Sequence, residues 1–199
     1  MAEKKNTTSH SIAVLNAFHG LCSRLYSDWS FHRSVFSDNP RKLAMEKSIA
    51  GRAFERFSII SSESILLQIA KLHDPAIQQG HVMLGLEYMV RFGGWDKFNE
   101  EKLSKLKKKL DELANKVRPA RHKILSHNDL EVILSGATLG RFPNGEDEKY
   151  FETLKEFTDV IFSNVIGENW QFSDDSAEIS QGLLWFFRED ACSNQTKNI

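Results

Sequence analysis

The stretch Arg118-Pro119-Ala120-Arg121-His122-Lys123-Ile124-Leu125-Ser126-His127-Asn128-Asp129 gathers two histidines, three cations and an acid. Cutting RNA without a metal needs a base to take the 2′-hydroxyl proton, an acid for the leaving oxygen, and a fixed cation for the charge developing on phosphorus. Histidine suits the first two roles because its ordinary pKa of about 6.5 lets it hold or release a proton near neutrality. Arginine suits the third, being planar, always charged and able to grip phosphate with two donors. On a helix, Arg121 and His127 stand about 120° apart around the axis and about 9 Å along it, so they do not stack on one face. The reach of an arginine closes much of that gap, and a partner helix or second subunit would close the rest. If Pro119 opens the helix, Arg121 falls in its first turn, where free N–H groups favour an anion such as phosphate. The same residues also suit a solvated basic helix end with His127 as a hydrogen-bonded seam residue.

This stretch resembles the motif of the HEPN superfamily of small helical proteins: an Arg, a polar residue, and a His a few positions further on. Within the superfamily it is most similar to the AbiU-like abortive-infection proteins. Arg121 to Asp129 resembles their Arg-x-Lys-x-x-x-His-x-Asp stretch, and Lys71-Leu72-His73-Asp74-Pro75 resembles their earlier Leu-x-Asp-Pro helix ending. The resemblance covers roughly Leu15 to Leu134, and it implies an endoribonuclease, often a toxin or phage-defence effector. Such an enzyme works without metal or other cofactor, as a homodimer whose two motifs face each other. Carried over, Arg121 holds the scissile phosphate and His127 is the acid/base. His122 is the polar partner that orients it or contacts phosphate, and Asn128 and Asp129 stand beside it as supporting residues. His122 replaces the commoner Asn, and Ser126 stands where a small apolar residue is frequent. Some members use the motif for binding alone. The alternative is therefore a non-catalytic module that binds RNA or nucleotide, or dimerises as a scaffold or toxin–antitoxin partner. The partners implied are RNA, a second copy of the chain, and an antitoxin or other defence-system protein.

The overall charge is uninformative, with 26 Lys and Arg against 27 Asp and Glu. Locally it is uneven. Residues 102–123 hold nine Lys and Arg against two acids, whereas 146–159 hold six acids against two bases and 168–190 six acids against Arg188. A lysine run is ordinarily the solvated face of an amphipathic helix. This one leads directly into the motif, so Lys107, Lys108, Arg118 and Lys123 are the expected RNA-binding cations.

Other chemistries find less support. His19 and Cys22 are half of a zinc pair, but Cys22 lies on an apolar stripe and no second pair matches it. His122 and His127 are spaced poorly for a shared metal, and Ser61, Ser62 and Ser64 lack a glycine-flanked elbow. Gly93-Gly94 is not followed by Lys-Ser or Lys-Thr, which argues against a phosphate loop. The 2 cysteines are far apart and fit a reducing compartment. The polar first ten residues and the short longest apolar run, Leu183 to Phe187, point away from a signal peptide or spanning helix, so a cytosolic protein without a membrane partner is expected.

The elements that must carry these residues are helical. Leu15, Phe18, Cys22, Leu25 and Trp29 recur at steps of three and four, predicting a helix from about Ser9 to Phe36. Asp38-Asn39-Pro40 stops it. A second helix, on a seam of Ile49, Ala53, Phe57, Ile60 and Leu67, ends near His73. The glycine-broken segment after Pro75 reads as one short helix, Val82 to Arg91, with Gly85 inside. Leu103, Leu106, Leu110, Leu113 and Val117 form the strongest seam, and it offers an apolar face for self-association. Ser135 to Asp147 reads as a loop, Phe151 to Val165 as a helix, and Leu183 to Phe187 as part of a last one. The expectation is an all-α single domain, a bundle of about six helices over residues 9–191, with flexible ends at 1–8 and 192–199.

Overall fold

A computed structural model describes residues 8–36, 51–115 and 145–167, together with Phe172 and Ile179. In chain order the elements are α1 (Thr8–Phe36), α2 (Gly51–Leu72), β1 (Ile77–Gln78), β2 (His81–Val82), α3 (Leu86–Phe92), α4 (Lys97–Ala114) and α5 (Glu146–Val165). The fold is all-α apart from the two short strands. Contacts group the described residues into two compact units, one of 8–24, 66–115 and 145–167, the other of 25–36 and 51–65 with Phe172 and Ile179.

In the first unit the expected stripe on α1 is buried at Leu15, Phe18 and Cys22, and Phe18 meets Phe157 of α5 at a ring distance of 6.2 Å. The apolar spacing of α4 buries Leu103, Leu106, Leu110 and Ala114, and α5 answers with Tyr150, Phe151, Leu154, Phe157, Ile161 and Phe162. These leucines are spent inside the chain. The described part of the Leu103 seam is therefore not the free apolar face expected for self-association, because α5 already covers it.

Polar clamps hold both ends of this antiparallel pair. At the start of α4, Asp96 caps the helix by accepting from the Asn99 backbone N–H at 2.8 Å, and its other oxygen accepts from Asn99 Nδ2 at 3.0 Å. The same Asn99 amide donates to Asn164 Oδ1, near the end of α5, at 2.8 Å. At the opposite end Tyr150, in the first turns of α5, bonds His73, which bonds Asp111 of α4.

Two local expectations are corrected. The proposed helix from Val82 is instead a hairpin followed by a helix that begins at Leu86. Ile77 pairs with Val82 and Gln78 with His81 across a two-residue turn, whose Gln79 and Gly80 both take positive φ, 51° and 82°. That is the twist a tight hairpin needs. Gly85 lies just before α3, not inside a helix, and a Cβ there would meet the Leu72 carbonyl oxygen at 2.6 Å, so only glycine allows this approach. On α2 the buried residues are Phe54, Ile65, Leu66, Ile69, Ala70 and Leu72, whereas Phe57 and Ile60 of the expected seam are 56% and 47% exposed.

In the second unit Val35, Phe36 and Phe54 form a small core with Phe31 against it, and Phe36 and Phe54 lie 4.8 Å apart. Phe57 and Ile60 help line a cavity of about 370 Å³ together with Asp28, Phe31, Phe54 and Ser61. His32 Nδ1 and Ser61 Oγ are 3.2 Å apart in the same unit.

Candidate functional site

Arg118, Arg121, His122, Lys123, His127, Asn128 and Asp129 lie outside the described residues, as do the segment 116–144 and the helix expected around Leu183. What is described is the helix that leads toward them. α4 ends at Ala114, four positions before Arg118, and its sequence explains its form: an Asp cap, a leucine at nearly every inward position, and lysine at half of the outward ones.

The two lysines expected to bind RNA from this helix part company. Lys108 is exposed. Lys107 turns inward, with its side chain 24% exposed, and its Nζ donates to Asp111 Oδ2 at 2.6 Å. Its charge is tied to an acid one turn away, so it is less available to a polyanion than its neighbours.

Asp111 is the centre of a four-residue chain that spacing alone did not reveal. Its Oδ1 lies 2.7 Å from Nδ1 of His73, and Nε2 of His73 lies 3.0 Å from the Tyr150 hydroxyl. An ionised carboxylate can only accept, so the Nδ1 proton belongs to His73. In the neutral ring Nε2 then accepts from the Tyr150 O–H. Burial pushes the Asp111 carboxyl up, but hydrogen bonds from His73 and Lys107, with the Lys107 charge, outweigh it and hold it below the usual carboxylate range. Burial, followed by the proximity of Cys22 and Asp111, pushes the Tyr150 phenol well above its ordinary value.

A histidine oriented by an aspartate is the arrangement of a general base. Here it does not serve as one, because the His73 side chain has no exposed surface and both ring nitrogens are engaged inside the protein. Its work is structural: it ties the end of α2 to α4 and α5. Nothing local in the sequence signals this, since the partners lie 38 and 77 positions away. The likeness to the Leu-x-Asp-Pro ending of AbiU-like proteins covers Leu72, Asp74 and Pro75 and leaves His73 at its unspecified position.

The remaining candidates are also structural. Burial pushes the Cys22 thiol far up, so it is a core residue and not a nucleophile. His19 sits 3.2 Å from Ser23 Oγ and edge-on to Phe162, with its pKa lowered by burial. Among the described residues no group of three or more His, Cys, Asp or Glu is placed to hold a metal ion, and no helix is long and apolar enough to cross a membrane.

A family model described as AbiU2, a HEPN family, matches residues 11–183. No curated protein and no solved structure gives a match. The matched span runs from the first helix past α5 and includes both the His73-Asp74-Pro75 ending and the whole of Arg118 to Asp129. A helical fold that ends α2 at this His-Asp-Pro, and a match over most of the chain, have one reading: the chain belongs to the AbiU2 family of HEPN abortive-infection proteins.

Proposed function

We propose that the protein is a metal-independent endoribonuclease that acts as a toxin or phage-defence effector. The observation that carries this reading is that the family match encloses Arg121, His122 and His127 in the order and spacing of the HEPN motif. Arg121 holds the scissile phosphate and stabilises its developing charge. His127 moves the proton at the 2′-oxygen or the leaving oxygen, so that the product ends in a 2′,3′-cyclic phosphate. His122 orients His127 or contacts phosphate, and Asn128 and Asp129 support it. Arg118, Lys123 and the exposed lysines before them draw in the polyanion. The acting form is a homodimer that pairs two motifs, and an antitoxin or other defence-system protein restrains it.

The test compares purified wild type with His127→Ala on a mixed cellular RNA pool in EDTA. Wild type cuts, and the variant loses about 10²–10⁴ in rate while still binding RNA. If both leave the RNA intact under conditions where wild type binds it, the protein is a non-catalytic RNA-binding module. Equal cutting by both would place the activity elsewhere.

A further inference from the structure

Phe98 is 76% exposed, more than any other large apolar side chain among the described residues. It opens a stripe along α4. Lys102, Lys105 and Lys109 follow it at steps of four, three and four, which places all four residues within about 60° of arc over about 16 Å of axis. Lys108 stands beside them, and all four of these lysines are exposed. No acid interrupts residues 102–110, which Glu101 bounds on one side and Asp111 and Glu112 on the other. The fifth lysine, Lys107, lies about 180° round the helix from Phe98, where it pairs with Asp111. By contrast Lys155 on α5 is paired with Asp159 at 2.8 Å, while none of Lys102, Lys105, Lys108 and Lys109 has an ion pair or hydrogen bond among the described residues.

We propose that this face of α4 is a track for single-stranded RNA, in which Phe98 stacks on an unpaired base and Lys102, Lys105 and Lys109 follow the phosphates. A row of cations alone would suit any polyanion. The aromatic ring at its head selects an unpaired strand, because bases in a duplex are already stacked on each other and a ring has no face to meet. That the strand is RNA rests on the endoribonuclease reading; that the track binds an unpaired strand does not. The track also moves the binding function on this helix from Lys107 to its outward neighbours.

The experiment measures binding by fluorescence anisotropy for the full chain carrying His127→Ala, so that RNA survives, with a labelled single strand of about 12 nucleotides and its duplex as probes. Phe98→Ala weakens single-strand binding roughly 5- to 100-fold and leaves duplex binding unchanged. Lys102→Gln/Lys105→Gln/Lys109→Gln flattens the slope of log K against log salt by about 2. Lys155→Gln changes neither. These positions are exposed, and far-UV circular dichroism checks that each variant keeps its helices. Single-strand binding that ignores both Phe98→Ala and the lysine variant overturns the track. Sensitivity to the lysines alone also overturns it, and leaves a basic patch that holds any polyanion without selecting an unpaired strand. If RNA is bound through these residues but wild type does not cut, the endoribonuclease reading fails and the track stands; if wild type cuts and the variants bind like their parent, the reverse holds.

Discussion

His73 and Asp111, 38 positions apart, meet at 2.7 Å and so join the last turn of α2 to the last turns of α4, with Tyr150 of α5 on the far side of the same imidazole. His73→Ala removes both bonds at once. It leaves the buried Tyr150 hydroxyl without this partner and opens a void. A buried polar group that loses such a hydrogen bond costs about 1–3 kcal/mol, so urea unfolding should show a clear fall in midpoint. Tyr150→Phe removes one bond only and should cost less.

Asp111 gives the acid limb of stability its shape. Its folded carboxyl titrates below the ordinary range, so its contribution is fully present above the unfolded value of about 3.9 and is lost as pH falls through the lower folded value. Unfolding midpoints measured from neutrality down to strongly acid pH should therefore fall less steeply at the acid end in Asp111→Asn than in wild type. An identical acid limb would remove Asp111 from the account.

The alkaline limb belongs to Cys22 and Tyr150, whose folded values are raised by burial. A raised acid stabilises the fold below its unfolded pKa, and that support drains away as pH rises past it, beginning near 8.5 for the thiol. In a Cys192→Ser background the Cys22 thiol should ignore a disulfide reagent at neutral pH while the protein is folded, and react promptly in denaturant. Fast reaction in the folded state would contradict its burial.

Three glycines predict opposite signs. Gly85→Ala drives a Cβ into the backbone oxygen of Leu72 and should cost roughly 1–3 kcal/mol. Gly93→Ala runs into the Trp95 indole, whose Nε1 donates to the Met89 carbonyl at 2.6 Å, and should cost a similar amount together with a change in tryptophan emission. Gly20 lies inside α1 with nothing within 4 Å of a Cβ, so Gly20→Ala should stabilise by about 0.5–1 kcal/mol, a rise of a few degrees in thermal midpoint.

Where one apolar stripe stood against polar neighbours, as on α1, α4 and α5, periodicity alone located the helix and its buried face. On α2 it chose the wrong face. Phe54 and Phe57, Ile59 and Ile60, and Ile65 to Leu67 put apolar side chains on most sides of that helix, so spacing could not rank them and packing decided. The hairpin has little signature in the sequence because Gln79-Gly80 is a weak turn signal beside Asn-Gly. The stretch from Arg121 to His127 can be read for chemistry from sequence because its residue types are local, and it lies outside the described residues. The His73, Asp111 and Tyr150 chain cannot be read in that way, since only the folded chain brings those three together. Lys107 looked like its lysine neighbours until an acid one turn on was seen to hold it.

The clamps at the two ends of α4 and α5 have a mechanical consequence. Two helices joined only by leucines and phenylalanines can trade one knob for the next and slip by a turn, about 5.4 Å, at modest cost. Here such a slip would break the Asn99–Asn164 bond at one end and the Tyr150–His73–Asp111 chain at the other in the same movement. The register of α4 against α5 is therefore pinned at both ends, and a one-turn slip has to break both sets of bonds together.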